Sequence, residues 1–253
     1  MVFTRTSYGA DLVARTARRM GDGPVLASWT GRSEGDLRQI GLTITPRSDV
    51  FRVRQTHGNE VVVVDSKDSF GPSASSWSSQ TADSATAWRL GEDGLPPEGD
   101  ALVTSQAGAR LCVLVADCAA VALGSRQGVA AAVHVGWKGL AAGILEKAVD
   151  VMRSMGATEV SAGLGPCIHP CCYAFSVEDL DPIVQRYGPS VRAKTSLGQP
   201  ALDLPEGVRL ALDSAGIPLL FEAESCTGCS SGFFSHRTRG EPERQALFVW
   251  NEG

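Results

Sequence analysis

Short apolar runs that give way to helical spacing constrain this chain more than any other feature. Leu111 to Ala116 is apolar at every position, consistent with a buried strand. Val121 to Leu123 and Val129 to Val135 read as further strands, with Ser125-Arg126-Gln127-Gly128 as the turn between them. From Leu140 to Met155 the apolar residues Ile144, Leu145, Ala148, Val151, Met152 and Met155 recur at a helical period. Gly156 is placed to end that helix. Val160 to Leu164 returns to strand and closes at Gly165-Pro166.

The alternation continues toward the C-terminus. Ser176 to Tyr187 reads as a helix capped by Ser176, with Glu178 and Asp179 in its first turn. Leu204 to Ala215 reads as another helix and Leu219 to Glu222 as a strand; Phe233-Phe234 and Ala246 to Trp250 are apolar segments beyond them. Upstream, Leu12 to Met20 reads as a helix and Val25 to Thr30 as a strand. Phe51-Arg52-Val53-Arg54 alternates like a half-buried strand, and Val61-Val62-Val63-Val64 reads as its return strand, which places His57-Gly58-Asn59 at a strand connection. Between Ser66 and Gly99, Ser, Gly, Pro and acidic residues dominate, which predicts a loop excursion within a domain and not a boundary. The expectation is one mixed α/β (α+β) domain over residues 1–253, without internal repeats.

With 43% hydrophobic and 20% charged residues, the chain has the composition of a globular protein able to bury a core. A net charge of -5 supplies no basic stripe for phosphate backbones, so nucleic acid is not an expected partner. The apolar runs are too short to span a bilayer, and Met1 to Thr6 lacks the apolar core of a signal peptide. The expected location is the cytoplasm, as a monomer or weak homo-oligomer.

Against that background, two of the four histidines and one cysteine stand out. They lie in Gln55-Thr56-His57-Gly58, Ala116-Asp117-Cys118 and Val133-His134-Val135-Gly136-Trp137, each at the end of an expected strand or in a connection. His57, Cys118 and His134 make the three-ligand set of a catalytic zinc, which keeps its fourth position for water or substrate. The same donors suit copper, which binds such sites more tightly than zinc. Each also has a plain alternative, as a hydrogen-bonded core histidine or a buried thiol. Gly136-Trp137-Lys138-Gly139 leads into the expected helix, where Lys138 and free N–H groups favour an anion; Arg237 and Arg239 are further cations. Asp117 is a candidate for proton transfer or for support of the metal ligands. Seven cysteines without an export signal are expected to be thiols. Cys226-Thr227-Gly228-Cys229 has the CxxC spacing of a redox or zinc motif, but no second CxxC completes a four-thiolate site; Cys167 and Cys171-Cys172 are the residues that could pair with it, and all five are read as structural thiols.

Several segments taken together resemble the laccase-domain family, also described as YfiH-like or multicopper polyphenol oxidoreductase-like proteins. They are Arg54-Gln55-Thr56-His57-Gly58, Gly99-Asp100-Ala101-Leu102-Val103-Thr104, Val115-Ala116-Asp117-Cys118 and Ala132 to Gly139. They continue with Gly165-Pro166-Cys167-Ile168, Cys171-Cys172-Tyr173, Cys226-Thr227, Phe233-Phe234-Ser235 and Arg244-Gln245-Ala246. The resemblance implies a mixed-sheet, sandwich-like fold with zinc on His57, Cys118 and His134. It implies purine nucleoside chemistry: phosphorolysis of adenosine, inosine, guanosine or methylthioadenosine, with adenosine deamination beside it. Purine nucleoside and phosphate are then the partners. Gln55, Trp137, Tyr173, Phe233 and Arg237 are the expected substrate contacts, with the aromatic residues as walls for a flat base.

The family is also linked to copper-dependent polyphenol oxidation and to editing of peptidoglycan precursors. Four histidines are too few for a multicopper cluster, whereas an amidase fits a hydrolytic zinc as well as a nucleoside enzyme does. Three positions depart from the family pattern. His169 stands in place of glycine, Ala174 in place of glutamate, and Lys138 in place of an arginine whose bidentate fork suits phosphate. The family's N-terminal Asn-Leu-Gly segment is not recognisable. These departures bear on substrate preference and leave the metal triad intact.

Overall fold

All four valines of the run Val61–Val64 are buried, and they point alternately into two different cores. Val62 and Val64 join a core between two sheets, while Val61 and Val63 join one between a sheet and helices. A strand with both faces covered needs apolar residues at every position, which is why the runs here are continuous and not alternating.

The computed structural model describes residues 17–38, 50–64 and 85–253. In chain order the strands are β1 (Arg18–Arg19), β2 (Val25–Trp29), β3 (Val50–Phe51), β4 (Val61–Val64), β5 (Thr86–Ala87), β6 (Ala101–Thr104) and β7 (Arg110–Val115). They continue as β8 (Ala119–Ser125), β9 (Ala130–Val135), β10 (Val160–Leu164), β11 (Arg192–Lys194), β12 (Pro200–Leu202), β13 (Leu219–Glu222) and β14 (Gln245–Asn251). The helices are α1 (Trp137–Ala141), α2 (Ile144–Ser154), α3 (Val177–Tyr187), α4 (Leu204–Ser214) and α5 (His236–Arg239). One sheet has the order β1-β2-β14-β7-β3 and a larger one the order β13-β10-β8-β9-β6-β4-β5; β11 and β12 form a separate hairpin. The larger sheet is the middle layer. Even-numbered residues of β8 and β9 such as Ala120, Ala122, Ala130 and Ala132 pack toward the smaller sheet. Odd-numbered ones such as Val121, Leu123, Ala131 and Val133 pack with Leu140, Leu145, Ala148 and Met152 of α1 and α2. The fold is therefore a mixed α/β sandwich backed by helices.

Most expected elements form where the sequence places them. The Ser125–Gly128 turn joins β8 to β9 antiparallel, Ser176 caps α3 by accepting from the Asp179 N–H, and Leu204–Ser214 forms α4. Three expectations need correction. The long helix from Leu140 is two, broken at Gly143, whose left-handed φ of 77° ends one and caps the next. Val61–Val64 is not the return strand of Val50–Phe51, because β3 pairs with β7 in the smaller sheet while β4 pairs with β5 and β6 in the larger. The intervening turn crosses between sheets, and it carries His57. Within the expected Leu12–Met20 helix, Arg18 and Arg19 form a strand against Ala27 and Leu26, and the positions before residue 17 lie outside the described residues. Of the expected excursion, residues 66–84 also lie outside them. Its second part is anchored: Trp88 is buried, donates its indole N–H to the Arg52 carbonyl at 2.7 Å and meets Phe51 edge-on.

Candidate metal centre

The ladder between β6 and β9 pairs Ala101 with Val133, so its next step sets Asp100 across from His134, whose N–H donates to the Asp100 carbonyl at 2.7 Å. His134 shares its strand face with Ala130 and Ala132, the face turned toward the smaller sheet. Cys118 lies immediately before β8, beside the end of β9, where Ala119 pairs with Val135. His57 sits on the turn that crosses between sheets. Three strand-derived segments thus converge at one end of the sandwich.

They bring the predicted triad together. Ligand atoms of His57, Cys118 and His134 all lie within 4.8 Å of one another, and the two imidazoles meet edge-on with centroids 4.8 Å apart. His134 is buried, Cys118 half-buried and His57 exposed, so the cluster opens to solvent on one side. Two non-glycine residues here hold left-handed backbone, His57 at φ 61° and Asp117 at φ 93°. Such conformations persist only where surroundings impose them, and they gather at functional sites. Gly136 supplies the room: a Cβ there would lie 3.0 Å from the His57 ring and 3.4 Å from the Cys118 sulfur.

Asp100 organises this corner. Its fully buried carboxylate meets His134 Nδ1 at 2.7 Å and accepts the N–H groups of Thr56, His57 and Gly58 and the Thr56 hydroxyl. Occupying Nδ1 leaves Nε2 of His134 as the ligand atom, the carboxylate–histidine arrangement that orients metal-binding imidazoles. In the sequence, Asp100 stands out only as part of the family segment Gly99-Asp100-Ala101. The signal was a carboxylate one ladder step from an expected ligand, visible only once strand register is known.

The electrostatics suit a cation. Burial works against the Cys118 thiolate, but the adjacent His134 and His57 outweigh it and the thiol falls to about 6. Burial likewise opposes the His134 imidazolium, and Cys118 and Asp100 reverse this, lifting it to about 9. A thiolate and two imidazoles, one pinned by a buried carboxylate, fit zinc in donor chemistry. His169 and His236 stand outside the triad, so among the described residues no ligand group gathers more than two histidines.

The remaining predicted residues divide. Asp117 is an anchor: its carboxylate accepts from the Thr227 hydroxyl at 2.7 Å and the Arg237 N–H at 2.6 Å. These contacts tie the segment before Cys118 to Thr227 and to the segment carrying Arg237. Gln55 exchanges two hydrogen bonds with the Leu114 main chain, which fastens the approach to His57 onto β7. Both ends of its amide are engaged there. Trp137 and Tyr173 meet through Phe175, which the sequence reading missed, with centroid distances of 5.6 and 4.7 Å. The Arg237 guanidinium lies over Tyr173 at 4.7 Å. Burial first, then the negative charge at Cys118, pushes the Tyr173 phenol up, so it stays neutral. Phe233 lines a depression of about 340 Å³ with Trp29, Phe221 and Pro166. Lys138 is exposed, 5.5 Å from the Trp137 ring, and makes no ion pair among the described residues. It stands on a helix of only five residues, so its own charge, more than a helix end, is what it offers an anion.

A family model described as multi-copper polyphenol oxidoreductase laccase matches residues 36–252. Purine nucleoside phosphorylase SCO2081 of Streptomyces coelicolor is 36% identical over 218 residues, 85% of this chain and 80% of that protein. Purine nucleoside phosphorylase ORF3 of Streptomyces griseus is 33% identical over 234 residues, 91% of this chain and 84% of its own length. The crystal structure of YlmD from Geobacillus stearothermophilus superposes with a TM-score of 0.71 at 24% identity, covering 94% of this chain and 99% of that one. No helix among the described residues is long and apolar enough to cross a membrane.

Proposed function

Since the chain belongs to the multi-copper polyphenol oxidoreductase laccase family, we propose that it is a zinc-dependent purine nucleoside phosphorylase. Its substrates are adenosine, inosine, guanosine or methylthioadenosine with phosphate, and adenosine deamination is a side activity. The observation that carries this reading is the aromatic corner of Trp137, Phe175 and Tyr173 beside the triad. Gly136 abuts His57 and Cys118 and leads directly into Trp137, and Tyr173 feels the charge at Cys118. Aromatic faces next to polar groups suit a flat, heteroatom-rich base.

In phosphorolysis a phosphate oxygen bonds to C1′ as the C1′–N9 bond breaks, and the base leaves with the electron pair and takes up a proton. His57, Cys118 and His134 would hold the zinc ion, which would supply Lewis acidity for charge developing on the reactants. The chain's own residues do the rest. Lys138 offers phosphate an exposed ammonium that makes no ion pair among the described residues, and the aromatic corner holds the base. Asp100 fixes the orientation of His134, and Asp117 ties the Cys118 segment to the segment carrying Arg237.

The test is product analysis with metal-quantified protein and adenosine, inosine or methylthioadenosine, each with and without phosphate. Phosphate-dependent release of free base, lost in Cys118→Ala, is the expected outcome, with some inosine from adenosine without phosphate. If stoichiometric zinc is bound and no nucleoside reacts, the reading is wrong and an amide substrate becomes the better one.

A further inference from the structure

Four of the cysteines read above as structural thiols converge on one point. Cys171 and Cys172 lie on a short 3₁₀ turn, Pro170–Cys172, and Cys226 and Cys229 belong to a loop more than fifty residues downstream. The Sγ atoms of all four lie within 4.8 Å of one another. Cys171 is 3.8 Å from Cys172, 3.6 Å from Cys226 and 3.4 Å from Cys229, and Cys172 is 3.2 Å from Cys229. All seven cysteines are free.

We propose that Cys171, Cys172, Cys226 and Cys229 form a second metal site, a four-thiolate centre that binds Zn²⁺ as a structural ion. Zinc–thiolate bonds of about 2.3 Å in a tetrahedron set the sulfurs about 3.8 Å apart; four of the six sulfur pairs stand at 3.2–3.8 Å, and all six lie within 4.8 Å. A closed set of four thiolates is the mark of a structural zinc, in contrast to the three-ligand group at His57. The main chain is arranged to support a thiolate as well, since the His169 N–H points at Cys226 Sγ at 3.3 Å. The missing second CxxC is replaced by an adjacent pair, which the sharp turn at Pro170 folds so that both sulfurs face the CxxC loop.

The site has a consequence for the other centre. Tyr173 follows Cys172 directly, and Thr227, inside the CxxC, donates to Asp117 beside Cys118. An ion here staples together two loops that carry one wall of the triad's surroundings. The inference does not rest on the nucleoside reading, because it is decided by metal content alone.

The experiment is metal analysis of protein purified without added metal, as wild type, Cys118→Ala, Cys229→Ala and the double variant. The expected zinc content per chain is two, one, one and none. Cys229 is exposed, so its removal leaves the core undisturbed. Replacing zinc by Co²⁺ adds a spectroscopic check, an intense visible band of tetrahedral cobalt thiolate that persists in Cys118→Ala and is lost in the double variant with Cys229→Ala. One zinc in the wild type that vanishes with Cys118 and is untouched by Cys229→Ala overturns the proposal. So does a disulfide among these four residues in protein isolated under reducing conditions.

Discussion

Asp100 and His134 face each other across adjacent strands, with carboxylate and imidazole 2.7 Å apart in a fully buried contact. The same carboxylate gathers three N–H groups of the turn that carries His57. One side chain therefore sets the orientation of one ligand and the backbone of another. Replacing it by asparagine keeps the shape, removes the charge and turns an NH₂ toward groups that themselves donate. Asp100→Asn is expected to weaken zinc binding at the triad by about 10- to 100-fold, the usual cost of losing such a partner. Competition against a chelator measures it, and an affinity within a factor of two of wild type sinks the idea.

The shifted thiol of Cys118 makes a prediction about pH. In metal-stripped protein the two imidazoles hold it at about 6, below an ordinary thiol. Thiolate is the nucleophile, so alkylation at Cys118 rises as pH increases and reaches half its plateau near 6. Cys112 is the internal control, because burial pushes its thiol up to about 12. Mass spectrometry of the two peptides after timed iodoacetamide treatment separates them. A Cys118 midpoint near 9 removes the claim that the imidazoles hold a thiolate.

The contrast between these two cysteines shows what a sequence makes legible. Leu111 to Ala116, Val129 to Val135 and Val160 to Leu164 are readable as strands because two covered faces demand unbroken apolar runs. The triad is readable because imidazole and thiolate beside strand ends are chemically uncommon. Features that depend on register are not readable. Asp100 acts through His134, thirty-four residues away, and nothing local distinguishes it from a turn aspartate. The four clustered thiols depend on two loops meeting. The break at Gly143 hides inside an apolar period that continues across it. The run Val61–Val64 sits close enough to Phe51 to suggest a hairpin, but pairing was decided by parallel partners in another sheet.

Gly139 tests how tightly the triad's turn is held. A Cβ at this position would lie 2.6 Å from the Gly58 carbonyl oxygen, a main-chain atom with no side-chain freedom to yield. Alanine gains up to about 1 kcal/mol of helix propensity over glycine, whereas overpacking costs about 1–3 kcal/mol. The clash is the larger effect, so Gly139→Ala is expected to destabilise the protein by about 1–2 kcal/mol. Because the displaced atom belongs to the residue after His57, zinc affinity should fall as well. Urea unfolding with and without chelator reads both, and unchanged stability in both conditions refutes the tight contact.

Lys138 is where binding and catalysis of the proposed reaction come apart. Its ammonium is exposed and without an ion-pair partner among the described residues, so removing it strands no buried charge. Lys138→Ala should leave the fold and the zinc content unchanged. A hydrogen bond between charged groups contributes about 1.5–3 kcal/mol, so its loss predicts a rise of roughly ten- to a hundredfold in KM for phosphate. The KM for nucleoside should move little. Lys138→Arg carries a planar fork that meets phosphate oxygens in pairs, so it should bind phosphate at least as well as the wild type. Initial rates across a grid of phosphate and nucleoside concentrations distinguish the two substrates. If Lys138→Ala raises the nucleoside KM and spares that of phosphate, the lysine serves the base and the anion must be held elsewhere.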